Sequence, residues 1–594
     1  MKRLSNEMGY ALFLTILIIM VFSIMAVSLL SFTLSGAKRS SISENRIQAD
    51  ELSEKGLQHI LAEINDQLER ELGESGLSVS EFKDKLNEVL DKYKCDINEN
   101  IIVNDLTTGS YEVCISDYEN SMKASGEENE LKKIVKFVST GESNNQNKQR
   151  EYYVEIGVDS VPDALKYLLS TVEVEGEKKP SDGNIYLHGG IELYGDIKVG
   201  NHLFTHVQGP RLLGNHYYWM YTTLPLLYSS TGNSSANIVL GGKLYQYSDQ
   251  FYTHKDFDKG SYGENEYIKT SDDFYEDHLD WENSSSFYKE STLNDMFANK
   301  DKLPKIVNRD WKGNKVNINE RIQEGLSALT PHTKINRDKV RSGLNSDHII
   351  QFTYDKKKES TSIFKGKNKF KGGKITPKYT KNVKFLDGHH KFDSMYIKGN
   401  VFIGNLSTSN NPSNYDDITI EGYTENTGAR IFVDGDVIIQ GANLTSNLTI
   451  YTTGTVTVKH STIQGYKFSD GIDGSLIVFA KGNIHLSNNS RYKNKPSELK
   501  GFFYSEDVLE MYGVGSNIKI HGGIAARRIT LNAVRGNYLN ESSDYADLKN
   551  PTNINSPSRL VIQYDTDLIE NYLRLNPPEP IVREIDPSKL IDRK

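Results

Sequence analysis

ARIFVDGDVIIQGANLTSNLTIYTTGTVTVKH, residues 429–460, is four very short strands joined by corners: Ile431-Phe432-Val433, Val437-Ile438-Ile439, Leu448-Thr449-Ile450 and Val456-Thr457-Val458. Each is apolar at both ends, and Gly, Asn and Asp sit between them. A three-residue strand is too short to hold a sandwich alone. Stacked as rungs, such strands bury their inward residues in one continuous core, which is the logic of a β-solenoid. The same grammar runs from about 383 to 535, at Met395-Tyr396-Ile397, Val401-Phe402-Ile403, Ile418-Thr419-Ile420, Leu476-Ile477-Val478, Ile484-His485-Leu486, Ile518-Lys519-Ile520 and Ile529-Thr530-Leu531. It also occurs earlier, at Ile185-Tyr186-Leu187, Ile191-Glu192-Leu193 and Ile197-Lys198-Val199. The repeat is imperfect, so a β-sandwich is the structural alternative.

Composition narrows the classes around this core. Two cysteines in 594 residues exclude a disulfide-rich scaffold and a four-thiolate zinc site. A net charge of -9 gives no global nucleic-acid footprint. The front of the chain is different in kind. Met8 to Leu34 is a run of 27 residues without a charge, long enough to span a bilayer as a helix. It is too long for the apolar core of a cleaved secretory signal, although Ser35-Gly36-Ala37 resembles the exit of one. Lys2 and Arg3 before the run nearly balance Lys38 and Arg39 after it. The short front and long remainder favour N-terminus inside and bulk outside.

Leu57, Ile60, Leu61, Ile64, Leu68 and Leu72 recur at three- and four-residue steps, so the helix continues outward from about Ser40 with one apolar stripe. Gly73 and Gly76 end it. Ser78 with Glu81 is a capping box that opens a second helix, striped by Phe82, Leu86, Val89, Leu90 and Tyr93. Strands follow from Cys95 to Tyr118 about a turn at Leu106-Thr107-Thr108-Gly109. Ser139 to Arg150 reads as a loop, Tyr152 to Val158 as a strand, and Val161-Pro162-Asp163 as the start of a short helix. Cys95 and Cys114 flank the turn, and a bridge between them would contribute about 3 kcal/mol by loop closure. A hairpin centred on that turn does not place them opposite each other, so pairing is open.

Asn6-Glu7-Met8-Gly9-Tyr10-Ala11-Leu12 and the apolar helix behind it resemble the N-terminus of PilX-type, minor-pilin-like type IV pilus assembly proteins of Gram-positive bacteria. Gly501-Phe502-Phe503-Tyr504-Ser505 through Gly522-Gly523-Ile524-Ala525 to Gly536 is similar to the C-terminal segment of the same group. The resemblance implies processing between Gly9 and Tyr10, and helix packing among other pilin subunits. One departure stands out: the glutamate of major pilins at the fifth position after the glycine is here Leu14. That loss fits a tip or initiating subunit, or a chain never processed at Gly9. The alternative is an ordinary membrane anchor.

The expected class is therefore α+β: leader and transmembrane helix at 1–37, a pilin-like α/β module at 38–175, first solenoid rungs at 176–200, an insertion at 201–382, the solenoid at 383–540 and a C-terminal cap at 541–594. The insertion is rich in tyrosine (Tyr217, Tyr218, Tyr221, Tyr228, Tyr245, Tyr247, Tyr252), and long solenoid insertions map to one face, often the binding face. Within 356–384 lie eleven lysines against one acid, Glu359. Lys365, Lys367, Lys369, Lys371 and Lys374, interleaved with aromatics, form the candidate polyanion site for DNA or teichoic acid. A solvated basic hairpin explains the same run. Asp272, Asp273, Glu276, Asp277, Asp280 and Glu282 match no calcium loop and read as a solvated acidic face. His389 and His390 are adjacent, and adjacent strand residues point to opposite sides, so they do not make a metal pair. Asp434-Gly435-Asp436 and Asp470 to Gly474 are turn chemistry first.

No catalytic motif, cofactor signature or metal-ligand set is found. The expected function is that of a non-enzymatic, single-pass surface protein with its bulk outside the cell, acting in pilus assembly or tip adhesion, with the membrane, other pilin subunits and a surface polysaccharide, teichoic acid or DNA as partners. The alternative is an anchored β-helix carbohydrate-active enzyme, because solenoids host such sites when carboxylates converge on one face.

Overall fold

The computed structural model describes residues 4–73, 77–95, 101–105, 109–122, 128–158, 161–172, 179, 181–213, 216–247, 288–307, 316–328, 348–353, 361–369, 372–375, 382–409, 411–424, 427–469, 471–541, 548–575, 581–582, 585–586 and 588–593. The chain divides into two compact units, Met1–Ser160 with Glu579–Lys594, and Val161–Pro578. The second is thus an insertion in the sequence of the first.

The first unit is built on one α-helix, Leu4–Leu72. From Tyr10 to Leu34 its apolar side chains are exposed, Tyr10 at 70% and Phe32 at 80%. Further along, Leu57, Ile60, Ile64, Leu68 and Leu72 are buried at the predicted spacing. They pack on an antiparallel sheet of Ile101–Asp105, Gly109–Met122, Glu128–Ser143, Gln146–Gly157 and Lys589–Arg593, in that order. The helix stops at Leu72, where Gly73 takes φ +56°. Ser78 and Glu81 form the capping box of the second helix, Val79–Lys92.

The segment 139–150, expected as a loop, is instead the end of one strand, a two-residue turn and the start of the next. Asn144 and Asn145 have φ of 46° and 62°, the left-handed pair that a tight hairpin turn needs. The inward positions before the turn are Ser139, Gly141 and Ser143, small because the helix lies close. Ser53 Oγ donates to the Ser139 carbonyl at 3.0 Å and Ser139 Oγ returns a bond to the Ser53 carbonyl at 2.7 Å. A Cβ on Gly56 would stand 2.6 Å from Ser139 Oγ.

The second unit is a three-sided parallel β-solenoid rather than a sandwich. Its first face stacks, among others, Gly372–Ile375, Ser394–Lys398, Ala429–Asp434, Leu448–Thr452 and Leu476–Ala480. The second stacks Asn382–Lys391, Val401–Ile403, Val437–Ser446, Val456–Gly465 and Ile484–Leu486 through their first halves. The third takes the later halves of the long strands, with Asp416–Glu421 between 388–391 and 442–446. Inward residues of all three faces, such as Ile397, Val433, Ile450, Val458, Leu444 and Ile463, merge into one core.

The stack does not follow the chain from end to end. Residues entering at Leu169–Thr171 pair with Ile524–Ala526 on one side and with Ile197–Val199 on the other. The chain then winds outward through Asn237–Leu240 to Lys305–Val307. It resumes at the opposite end of the stack with Thr361–Lys369 and winds back until Ile529 meets Ile185 and Val561 meets Glu192. The solenoid is one superhelix whose sequence is cut in the middle. Two buried arginines clamp the junction: Arg535 Nη1 donates to Glu192 at 2.7 Å, and Arg527 pairs with Asp182 and Asp507.

This path changes several expected boundaries. Residues 161–175, assigned to the α/β module, open the solenoid with the 3-10 turn Asp163–Lys166 and a rung strand. Within the expected insertion, Leu203–His206, Leu226–Tyr228, Asn237–Leu240, Leu244–Tyr247 and Lys305–Val307 are rungs. The tail does not cap an end. Leu560–Gln563 is a rung at the junction, and Leu568–Leu575 lies on the outside of the first face. There it covers an outward ladder that includes Phe432, Tyr451 and Phe479, stacked at 5.6 and 5.0 Å. The helix Ile318–Ala328 covers the same ladder, and Gly325 gives the Phe432 ring its room.

Candidate functional site

Solenoid corners are tight unless residues are inserted, and two insertions at one corner shape the third face. Between Ile403 and Asp416 the chain loops out through 405–409 and 411–415, and three rungs along it loops out again between Leu486 and Ser497. The two rungs between them pass the corner without insertion, within single strands Val437–Ser446 and Val456–Gly465. The result is a groove of about 940 Å³. The loops form its walls and the outward residues of strands 416–421, 442–446 and 461–465 form its floor.

The floor is a lattice of polar side chains, spaced about 4.8 Å between strands and about 7 Å along them. One column is Asp417, Asn443 and Thr462, in register across the strands. Its members are tied to one another: Asn443 Nδ2 donates to Asp417 Oδ1, and Thr462 Oγ1 donates to Asn443 Oδ1, both at 2.9 Å. The neighbouring column is Thr419, Thr445 and Gln464. Its side chains make no hydrogen bond among the described residues.

The walls are held firmly. Asn405, Ser407, Ser409 and Asn411 each accept from the backbone N–H two residues on, at 2.8 to 3.1 Å, a chain of Asx- and Ser-type turns. Gln440 Nε2 donates to the Leu406 carbonyl at 3.0 Å, and Tyr415 Oη to that of Ser409 at 2.9 Å. In the other wall, Asn517 Nδ2 and Arg559 Nη2 donate to the Lys493 carbonyl at 3.2 and 3.1 Å. The Asn494 side chain donates through Nδ2 to the Tyr538 carbonyl at 3.1 Å and accepts at Oδ1 from the Tyr538 N–H at 2.7 Å.

The basic strip lies at the last rungs of the stack. Lys365, Lys367 and Lys369 are exposed on Thr361–Lys369, and Lys369 Nζ stands 4.8 Å from the Tyr423 ring centre. Lys374 is in the strand Gly372–Ile375 on the first face, whereas Lys367 and Lys369 are on the third. Lys371 lies outside the described residues, as do Tyr252 and the acidic cluster Asp272 to Glu282. Beside Lys367 and Lys369 in register are His389 and Lys391, and both reach Glu421 Oε1, at 2.6 and 2.7 Å. Burial pushes the Glu421 carboxyl up, but the bonds from His389 and Lys391 outweigh it and hold the group below its ordinary range.

His390 points the other way, into the core. Its Nε2 donates to the Leu386 carbonyl at 3.0 Å, which leaves Nδ1 to accept from Asn368 Nδ2 at 3.1 Å. Burial pushes its pKa down to about 4. Asp434 and Asp436 bond the next rung's Thr453 and Thr455, at 3.2 and 2.8 Å, as corner residues do. Tyr245 stacks on Phe204 at 5.2 Å and Tyr228 on Tyr194 at 5.5 Å, so these tyrosines are rung-to-rung ladders. No group of three or more metal-capable side chains occurs among the described residues.

In the first unit, Gly9 and Tyr10 are helical, within the continuous helix. Cys95 and Cys114 form a disulfide. The hairpin itself does not align them. Instead, the chain leaving the second helix runs parallel to the strand, with Ile115 N donating to the Tyr93 carbonyl and Cys95 N to that of Ile115. The groove was missed in sequence because Thr, Asn and Gln at outward strand positions look like any solvated face. The two long, Asn- and Ser-rich corners were its signal.

No protein-family model matches the chain, and no curated protein matches it. Among solved structures it is similar to the competence-associated pilin ComZ from Thermus thermophilus, at 11% sequence identity, covering 93% of this chain and 97% of that one with a TM-score of 0.22.

Proposed function

We propose that this protein is a pilin-like, membrane-anchored surface subunit that acts in type IV pilus assembly or tip adhesion, with no chemistry of its own. One observation carries the reading: a single helix does two jobs. Its first part is bare and apolar, with an 18-residue window of mean hydropathy 2.8 that is 0% buried. Its second part is the core element of an α/β unit. A simple anchor needs a span alone. A span continuous with the packing helix of a small domain fixes that domain to the membrane or to a bundle of like helices.

In this reading the bulk of the chain lies outside the cell, a setting in which the Cys95–Cys114 disulfide persists. The solenoid is the binding part. In this setting the partners of the exposed run are lipid and other pilin helices, and the Lys367–Lys369 end is the candidate contact for a polyanion such as DNA or teichoic acid. Gly9→Val tests the role: a pilin-like subunit retains its leader and surface filaments fall in number. A plain anchor leaves both unchanged.

A further inference from the structure

We propose that the groove on the third face of the solenoid binds a neutral glycan chain; this names the ligand class for the adhesive role above and rests on that role. Four observations converge. First, Thr419, Thr445 and Gln464 offer a row of hydroxyl and amide groups without hydrogen-bond partners among the described residues, whereas the adjoining Asp417–Asn443–Thr462 column is tied together internally. A ligand rich in hydroxyls, each both donor and acceptor, matches such a row. Second, the charges that line the groove balance: Asp417 and Glu541 against Lys493 and Lys495, with Lys493 4.0 Å from Glu541. That field gives a polyanion nothing, and on this molecule a polyanion belongs at the lysine-rich end.

Third, Pro412 on one wall and Pro496 on the other line the groove with rigid C–H surface. The faces of sugar rings are C–H surfaces of the same kind. Fourth, both walls are pinned by side-chain bonds to backbone, so the site is formed before anything binds and little ordering entropy is lost. The walls stand three strand spacings apart, about 14 Å. That width, and a volume of about 940 Å³ at the upper end for small-ligand sites, suit several sugar units rather than one.

The test uses the full chain in detergent, titrated with chitotetraose, cellotetraose and a 20-base single-stranded oligonucleotide. The expected result is binding of at least one tetrasaccharide, weakened about ten-fold in the double variant Thr445→Val/Gln464→Ala and unchanged in Lys367→Ala/Lys369→Ala. Preference for chitotetraose points to an acetamido glycan, as in a cell wall, and preference for cellotetraose to a plain hexose polymer; either supports the site. Failure of both sugars to bind overturns it, as does full binding by a Thr445/Gln464 variant. Oligonucleotide binding alone, lost in the lysine variant, also overturns it and makes the end of the stack the ligand site. A chain that fails these titrations yet matures at Tyr10 loses the groove and keeps the pilin-like reading.

Discussion

The sheet beneath the long helix and the rungs of the solenoid bury their chains by opposite means. In the first unit the inward sheet positions nearest the helix are small, Ser139 against Gly56 and Gly141 against the backbone of Ala49 and Ser53, so backbone approaches backbone. In the solenoid the inward positions face their counterparts on the next rung, and mainly Val, Ile, Leu and Phe fill the space. The solenoid also buries groups that the first unit keeps wet. His188, His390 and His485 are pushed down to about 3, 4 and 4 by burial, and Arg528, Arg535 and Arg559 are among its largest fully buried side chains. A stack of like rungs can enclose polar groups wherever neighbouring rungs supply partners. A single helix on a sheet has less depth to do so.

Acid should break this comparison most strongly. A histidine whose folded pKa lies below its unfolded value leaves stability complete above about 6.5 and removes it as pH falls toward the folded value. Between pH 7 and 5 each of His188, His390 and His485 should remove on the order of 1–2 kcal/mol. Hydrogen exchange resolved by segment should show solenoid strands opening at pH 5 while 128–157 stays protected. Equal loss in both units would contradict the burial argument.

Next in size is the junction. Arg535→Met leaves Glu192 and the carbonyls of Ile554 and Ser556 without their donor. The expected cost is about 3–5 kcal/mol, read as a lower solenoid melting temperature and cleavage near 161–195. The reciprocal change is confined to the first unit: Cys95→Ser with Cys114→Ser should lower its stability by about 3 kcal/mol and leave the solenoid transition in place. The smallest effect is expected at the basic end, where Lys367→Ala should change stability by less than about 0.5 kcal/mol in a denaturant titration.

The same contrast explains what could be read from sequence. Rungs announce themselves because inward residues must be large and repeat at close spacing, as at Ile431, Val437, Leu448 and Val456. The helix was legible for the same reason, through Leu57 to Leu72. The hairpin about Asn144-Asn145 was not, because Ser139, Gly141 and Ser143 are small where the helix is near, and the apolar alternation disappears. The cut in the middle of the solenoid was also hidden. Rungs at 203–206 and 237–240 stack on 185–188 and 197–199, near in sequence, but the turns they start from stack in turn on 524–533, hundreds of residues away. Of the candidate site, the lysines were visible as composition. The groove depends on two loops leaving one corner three rungs apart, which only the stacking order reveals.

The most direct test of the central claim is the intact mass of the protein recovered from cell-surface filaments and membranes. A pilin-like subunit predicts a mature chain that begins at Tyr10, with the residues through Gly9 removed. A chain that still carries Met1 or Lys2 in both fractions would contradict it.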